Sequence, residues 1–115
     1  MPTTNDRLTG PQSNNDMGIP WSFVGTATAR DYALVLKAPF PFYIDAVASK
    51  CASGTSTATV KIDGVALGGA VNSVSSTETS QSHTTANFVD EGADVFATFT
   101  AGAVDPQLSL KCRRR

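Results

Sequence analysis

The fold is decided by residues 39–69, PFPFYIDAVASKCASGTSTATVKIDGVALGG, which predict one β-hairpin and the start of a second. An apolar strand ends near Cys51, and a Ser53-Gly54 turn follows it. Residues 57–62 (TATVKI) then alternate polar and apolar with the period of a half-buried strand. Asp63-Gly64 comes directly after this strand and is a strong hairpin signal, because a type I′ turn needs positive φ at both central residues.

The composition favours an all-β protein of one domain. Charged residues make up 17% of the 115 residues, against about 25% in typical globular domains. Serine and threonine are abundant instead, and threonine suits a pleated surface while its restricted χ1 opposes helix. The formal net charge of −1 gives no overall field that would attract nucleic acid or an anionic membrane.

Short strands continue along the chain at a spacing typical of a β-sandwich or jelly roll. Two layers are needed, since a single sheet would leave many of its apolar side chains in water. The remaining predicted strands are 31–37, 65–67, 70–77, 84–89, 94–100 and 107–112. Residues 84–89 and 94–100 are expected to pair with each other, and Leu108, Leu110 and Cys112 to share one face.

Residues 1–20 form a polar segment with three prolines, and we predict that they are an extended N-terminal arm preceding a β-sandwich domain at 21–115. A terminal segment of this composition is rarely ordered unless something holds it. We therefore expect the arm to lie along a neighbouring subunit, with docking on its own domain as the alternative. The predicted partner contacts are Arg7, Leu8, Met17 and Ile19, whereas Trp21 and Phe23 are expected to face inward from the first strand.

The motif at residues 53–64, SGTSTATVKIDG, and the later strand EGADVFATFT carry a family resemblance. Over residues 32–112 the chain resembles small β-sandwich structural proteins of tailed bacteriophage virions. That resemblance implies a head-decoration, linking or tail-associated component, with other virion proteins as partners. The arm is not part of the shared pattern.

Cys51 and Cys112 are the sharpest chemical feature of the sequence. Each follows a lysine, and Cys112 also precedes three arginines, so nearby cations favour the reactive thiolate. We favour interchain disulfides at both cysteines, because two such sites would let one subunit link two partners. One intrachain disulfide and two free, buried thiols remain the alternatives.

Other candidate groups point to no chemistry. The basic tail Arg113–Arg115 is expected to be solvated or to contact an acidic partner rather than nucleic acid, because no aromatic–basic motif accompanies it. His83 is expected on a surface strand, since no second ligand or nucleophile motif lies at a suitable spacing. Asp90, Glu91 and Asp94 predict a solvated turn and not a calcium loop.

Taken together, these features predict a non-enzymatic virion protein without a cofactor. The most specific expectation is a capsid decoration or linking protein that binds the major capsid protein or other decoration subunits, with a homo-oligomer possible. The alternative is a glycan- or host-binding module of a tail fibre or spike, which would stack Tyr32 and Tyr43 on sugars. The N-terminus lacks an apolar signal region, so we expect assembly in the host cytoplasm and no membrane partner.

Overall fold

The computed structural model describes residues 16–115, which form ten β-strands and no helix. Every strand pairing is antiparallel. The strands are β1 (Asp16–Ser22), β2 (Arg30–Val35), β3 (Phe42–Lys50), β4 (Ser56–Ile62), β5 (Val65–Ala66), β6 (Asn72–Val74), β7 (Thr79–Ser82), β8 (Phe88–Val89), β9 (Val95–Phe99) and β10 (Gln107–Arg114).

Two five-stranded sheets pack together. Sheet I has the order β1-β10-β3-β7, with β8 also paired to β3. Sheet II has the order β2-β9-β4-β5, with β6 also paired to β4. This arrangement confirms the predicted all-β sandwich.

The core lies between the sheets and is filled by alternate side chains of each strand. On β10 the predicted inward face is confirmed, because Leu108, Leu110 and Cys112 are buried while their neighbours in the strand are exposed. Burying a large apolar side chain contributes roughly 1.5–3 kcal/mol, so this layer holds the sheets together. The largest fully buried side chains are Phe42, Phe99, Ile44, Leu110, Val47, Val60, Val74, Val89, Val95, Asn72, Pro106 and Cys112.

The Asp63-Gly64 hairpin is confirmed. Strand β4 ends at Ile62 and β5 begins at Val65, and these two residues pair across the turn. Both central residues have positive φ, 48° at Asp63 and 86° at Gly64, as a type I′ turn requires. The Asp63 carboxylate also accepts a hydrogen bond from the amide of Asp94, at 3.0 Å.

The predicted hairpin between residues 39–51 and 56–63 is wrong. Strand β3 lies in sheet I and β4 in sheet II, so residues 51–55 cross between the sheets. The crossing is tied to the loop before β10, because the amide of Ala52 donates to the carbonyl of Val104 at 2.9 Å. Long-range pairing with β10 and β7 therefore replaces local pairing for β3.

The predicted pairing of 84–89 with 94–100 is also wrong. Strand β8 pairs with β3 in sheet I, whereas β9 lies between β2 and β4 in sheet II. Residues 84–87 are held by a side chain instead, since Asn87 Nδ2 donates to the carbonyls of Ile44 and His83 at 2.9 and 3.0 Å. The predicted strand 70–77 shortens to β6, with Val71 exposed, and β7 was not predicted.

The first strand begins earlier than predicted. β1 pairs with β10 along its whole length, from Asp16 opposite Arg113 to Ser22 opposite Gln107. The last five residues of the predicted arm, 16–20, therefore belong to sheet I, while residues 1–15 lie outside the described part of the chain. Trp21 packs against the core, with its ring centroid 5.4 Å from that of Phe99.

His83 is buried, so its predicted surface position is wrong. The residue is only 2% exposed, and its Nδ1 lies 2.9 Å from the carbonyl oxygen of Gly68. Its Nε2 lies 3.4 Å from Oδ1 of Asn72, whose Nδ2 donates to the carbonyl of Ala58. Buried polar groups need such partners, and this set ties the loop before β6 and the residue after β7 to sheet II.

We predict that Gly54→Ala destabilises the fold by about 2 to 5 kcal/mol, because a left-handed backbone and an overpacked contact both add a cost. Gly54 has a φ of 77°, and a Cβ there would overlap the carbonyl oxygen of Gly102. Gly64→Ala is the matched control: its φ is 86°, but a Cβ would meet nothing within 4 Å. The control should cost only about 1 to 2 kcal/mol. Urea unfolding measures both, and equal losses would contradict the proposed close approach.

Candidate interaction surface

The basic tail is part of a strand. Arg113 and Arg114 are the last paired residues of β10, opposite Tyr43 and Phe42 of β3. The amide of Arg115 donates to the carbonyl of Pro41 at 3.3 Å. Backbone hydrogen bonds to residues 41–43 therefore fix the backbone positions from which the three arginine side chains extend.

Arg113 is held by an ion pair and an aromatic ring. Its Nε and Nη2 donate to the two carboxylate oxygens of Asp45, at 3.2 and 3.3 Å. Its guanidinium carbon lies 4.4 Å from the centroid of the Tyr43 ring. The Arg113 side chain is about half exposed, so each contact contributes no more than about 1 kcal/mol. Their main effect is to order the guanidinium.

Arg114 and Arg115 also lie over aromatic rings. The guanidinium of Arg114 is 4.1 Å from the centroid of Phe40, and that of Arg115 is 5.3 Å from the centroid of Phe88. Phe88 in turn packs beside Tyr43, with centroids 5.0 Å apart. We call this set the arginine–aromatic cluster; its members are Phe40, Tyr43, Phe88, Arg113, Arg114 and Arg115.

A β-bulge creates the ion pair of the cluster. The register between β10 and β3 shifts between Lys111 and Cys112, so that Ala46 and Ile44 have partners and Asp45 is the extra residue. A bulge redirects the side chain of the extra residue. The Asp45 carboxylate thereby reaches Arg113 instead of following the alternation of the strand.

The predicted arm contacts fall in two places. Arg7 and Leu8 lie outside the described residues. Met17 and Ile19 lie on β1, are half-buried, and pack against the core. In this structure these two side chains therefore stabilise their own sandwich.

Both cysteines are free and buried, at 3% exposure for Cys51 and 1% for Cys112. Burial raises the pKa of the Cys112 thiol to about 12, and the nearby Asp45 carboxylate adds to the effect. The predicted activation of Cys112 by cations is wrong, because Lys111 and Arg113 are on the opposite face of the strand. An interchain disulfide at Cys112 stays a prediction that would require the end of β10 to leave sheet I.

The outer face of sheet I carries a groove of about 660 Å³. Small side chains from three strands line its middle, including Pro20, Ala48 and Ser109, while Lys50 and Glu78 border it. Groove and cluster lie toward opposite ends of β10, since Gln107 lines the groove and Arg113 belongs to the cluster. Six residues of strand separate these two positions, about 20 Å.

The aromatic residues expected to stack on sugars are not free to do so. Tyr32 is only 6% exposed and packs at 5.3 Å, edge to face, against Phe99. Tyr43 is half-buried, and Arg113 lies over its ring. The structure therefore removes Tyr32 from the predicted glycan platform and covers a face of Tyr43.

Within residues 16–115, no three His, Cys, Asp or Glu side chains come together as metal ligands. No helix in this part of the chain is long and apolar enough to cross a bilayer. The acidic turn residues accept hydrogen bonds from backbone amides: Asp90 Oδ1 from Glu91, its neighbour, and Asp94 Oδ1 from Lys37, which is distant in the sequence.

The arginine–aromatic cluster was missed at the level of sequence, where only the arginines were noticed. Its rings come from residues 40, 43 and 88, which no local pattern connects to residues 113–115. A signal did exist in two runs of residues. The aromatic run 40–43 starts the strand that was predicted to end near Cys51, and the basic run 113–115 directly follows the predicted strand 107–112. Recognising it would have required the antiparallel register of β3 and β10.

We predict that Cys112 resists thiol reagents in the folded protein. At about pH 8 a thiol with a pKa of about 12 is about a thousandfold less ionised than one with the ordinary value of 9.0. Ser109→Cys is the matched control, because it places a thiol on the exposed face of the same strand. Iodoacetamide labelling followed by peptide mass spectrometry should modify residue 109 at once and residue 112 only in urea. Rapid native labelling of Cys112 would contradict its burial.

Comparisons with known proteins leave the assignment to the structure and the residues. No family model matches this chain, and no curated protein has a significantly similar sequence. The sandwich, its outer surfaces and the motif at residues 53–64 are therefore the features from which a function can be inferred.

Proposed function

We propose that this protein is a non-enzymatic structural component of a tailed-phage virion, a decoration or linking protein that binds neighbouring capsid subunits. The β-sandwich fold supports the proposal, because the resembling virion proteins are small β-sandwiches. The motif at residues 53–64, which carries the resemblance, forms the crossing to β4, the whole of β4 and its type I′ turn. The motif thus coincides with a central part of sheet II.

The observation that carries the proposal is the open outer face of sheet I. Small side chains in its groove allow the backbone of a partner to approach closely, and the ordered Arg113 lies at the other end of the same face. Ordered side chains lose little conformational entropy on binding. A face of this kind suits a protein partner with a broad surface.

The contact is proposed to be noncovalent. Both thiols lie in the core, where a cysteine of a neighbouring subunit has no access while β10 stays in sheet I. Binding to the assembled particle still stabilises the particle, because any ligand of the assembled state shifts the equilibrium toward it.

Two observations weigh against other classes of function. The ring nitrogens of His83 face a backbone carbonyl and an amide oxygen, and the side chain is buried, so it is poorly placed as a catalytic base. The glycan-binding alternative loses Tyr32 to the core. Neither class is as well supported by the surface as binding to a virion protein.

We expect Ser109→Trp to reduce the number of copies on the particle by about tenfold, since a bulky ring in the groove costs binding free energy of about 1.4 kcal/mol or more. Ala33→Trp is the control, because Ala33 is an exposed residue on the outer face of sheet II. Particles lacking the gene for this protein are incubated with each purified variant, sedimented and quantified by mass spectrometry.

The control variant should bind like the unmodified protein. Absence of the unmodified protein from purified particles, together with no binding to particles lacking the gene, would refute the virion assignment. Equal binding of Ser109→Trp would keep the virion assignment but exclude the groove as the contact.

A further inference from the structure

One end of the sandwich carries exposed charges of both signs. Strand β3 begins at this end and β10 finishes there, while the Asp63-Gly64 turn and the loop 90–94 close it on the side of sheet II. We call it the charged end. Hydrogen bonds between loops define it: the amide of Asp63 donates to Asp94, and that of Gly92 donates to Ala38.

The half of the charged end that belongs to sheet I is basic. Arg113, Arg114 and Arg115 lie over aromatic rings, and all three residues are exposed. Asp45 neutralises part of this charge through Arg113. Among the described residues, Arg114 and Arg115 have no carboxylate partner, and Asp16 lies opposite Arg113 in β1.

The half that belongs to sheet II is acidic. Asp63, Asp90 and Glu91 are exposed, and Asp94 is partly exposed. Their hydrogen bonds run to backbone amides, with Asp63 Oδ1 accepting from Asp94 at 3.0 Å and Asp94 Oδ1 from Lys37 at 2.9 Å. These bonds fix the loops but leave the negative charges without a cationic side chain. Lys37 and Lys61 are the positive charges in this sequence neighbourhood, so four carboxylates exceed two cations.

Exposed apolar side chains lie beside the acidic half. Leu36 and Val65 are each 63% exposed, which is unusual for large apolar residues in this fold. Both belong to one end of sheet II. Across that end, Val35 of β2 is opposite Val95 of β9, Val95 is opposite Ile62 of β4, and Ile62 is opposite Val65 of β5; Leu36 directly follows Val35. Because β2 and β5 are the two ends of the strand order of sheet II, these side chains lie on either side of the acidic half and add apolar area to this end of the sandwich.

We propose that the charged end binds the charged end of a second copy of this chain. In a dimer with two-fold symmetry, the same patch of each copy contacts that patch of the other copy, so the patch must be self-complementary. Rotation by 180° about an axis along the boundary between the halves places the basic half of each copy on the acidic half of the other, with the Leu36 and Val65 side chains toward the edges of the contact. The proposal goes beyond the virion assignment and does not depend on it.

The charge pattern favours a second copy over nucleic acid. A phosphate backbone would meet the arginines and, directly beside them, four carboxylates that repel it. The aromatic faces on which bases would stack carry guanidiniums already. A partner with both signs of charge satisfies both halves, and this chain presents that pattern itself.

Sedimentation velocity of the full chain over a range of concentrations tests the proposal. We expect a monomer–dimer equilibrium whose dissociation constant rises about tenfold or more between about 50 mM and 500 mM salt, because exposed charges are screened. R114E/R115E and D90R/E91R should each be monomeric, since like charges then face each other. An equimolar mixture of the two variants should form a heterodimer, because both sets of opposite charges are restored.

Two further variants keep the test decisive. Arg30→Glu is the matched control, since Arg30 also lies over a tyrosine ring but at the opposite end of sheet II, and it should dimerise normally. Leu36→Ser changes no charge and should weaken the dimer by several-fold. Circular dichroism and urea midpoints establish that each variant is folded.

Three results would overturn the proposal. The first is an unmodified chain that stays monomeric at every concentration. If that monomer also binds a short oligothymidylate, the charged end is a nucleic-acid site instead; without such binding the self-association is refuted all the same. The dimer could survive both charge reversals. The mixed charge-reversed variants could fail to associate although each is folded.

Discussion

The placement of β10 between β1 and β3 is the constraint on which the rest of this structure depends. The strand pairs on both sides along nearly its whole length, and its inward residues Leu108 and Leu110 close the core. Its outward residues line the groove at one end, and its last residues form the arginine–aromatic cluster at the other. Separation of β10 from β3 would therefore open the core and release the arginines from their rings. Stability and the proposed binding surfaces share one strand.

Local sequence predicted the parts of the fold that local physics decides. The alternation of polar and apolar residues correctly assigned the buried faces of β4 and β10. The Asp63-Gly64 hairpin was recognised because these two residue types tolerate the positive φ that the turn requires and that the structure has. The partners of each strand were harder to predict, because pairing depends on residues far apart in the sequence. The crossing at residues 51–55 looks like a turn in the sequence, and only the pairing of β3 with β10 shows that it changes sheets.

The same difference between local sequence and long-range contacts explains which candidate functional residues were predicted correctly. Cys112 was judged by its neighbours in the sequence, but neighbours in a strand point to opposite faces, so Lys111 and Arg113 lie in water while the thiol lies in the core. His83 gave no local sign of burial, because its partners Gly68 and Asn72 come from another loop and strand. The tail arginines were correctly singled out. Their aromatic partners could not be, since residues 40 and 88 approach them only in the folded chain.

The proposed surfaces also explain how a linking protein could work without disulfides. Linking requires two contacts per subunit. The sequence suggested that two interchain disulfides, at Cys51 and Cys112, would form them. We propose two noncovalent contacts instead: the groove of sheet I for the particle and the charged end for a second copy. Four residues of β10, about 13 Å, separate Ser109 in the groove from Arg113, so one partner need not exclude the other. A particle bound through such pairs gains avidity, because release of one subunit leaves its partner attached and nearby.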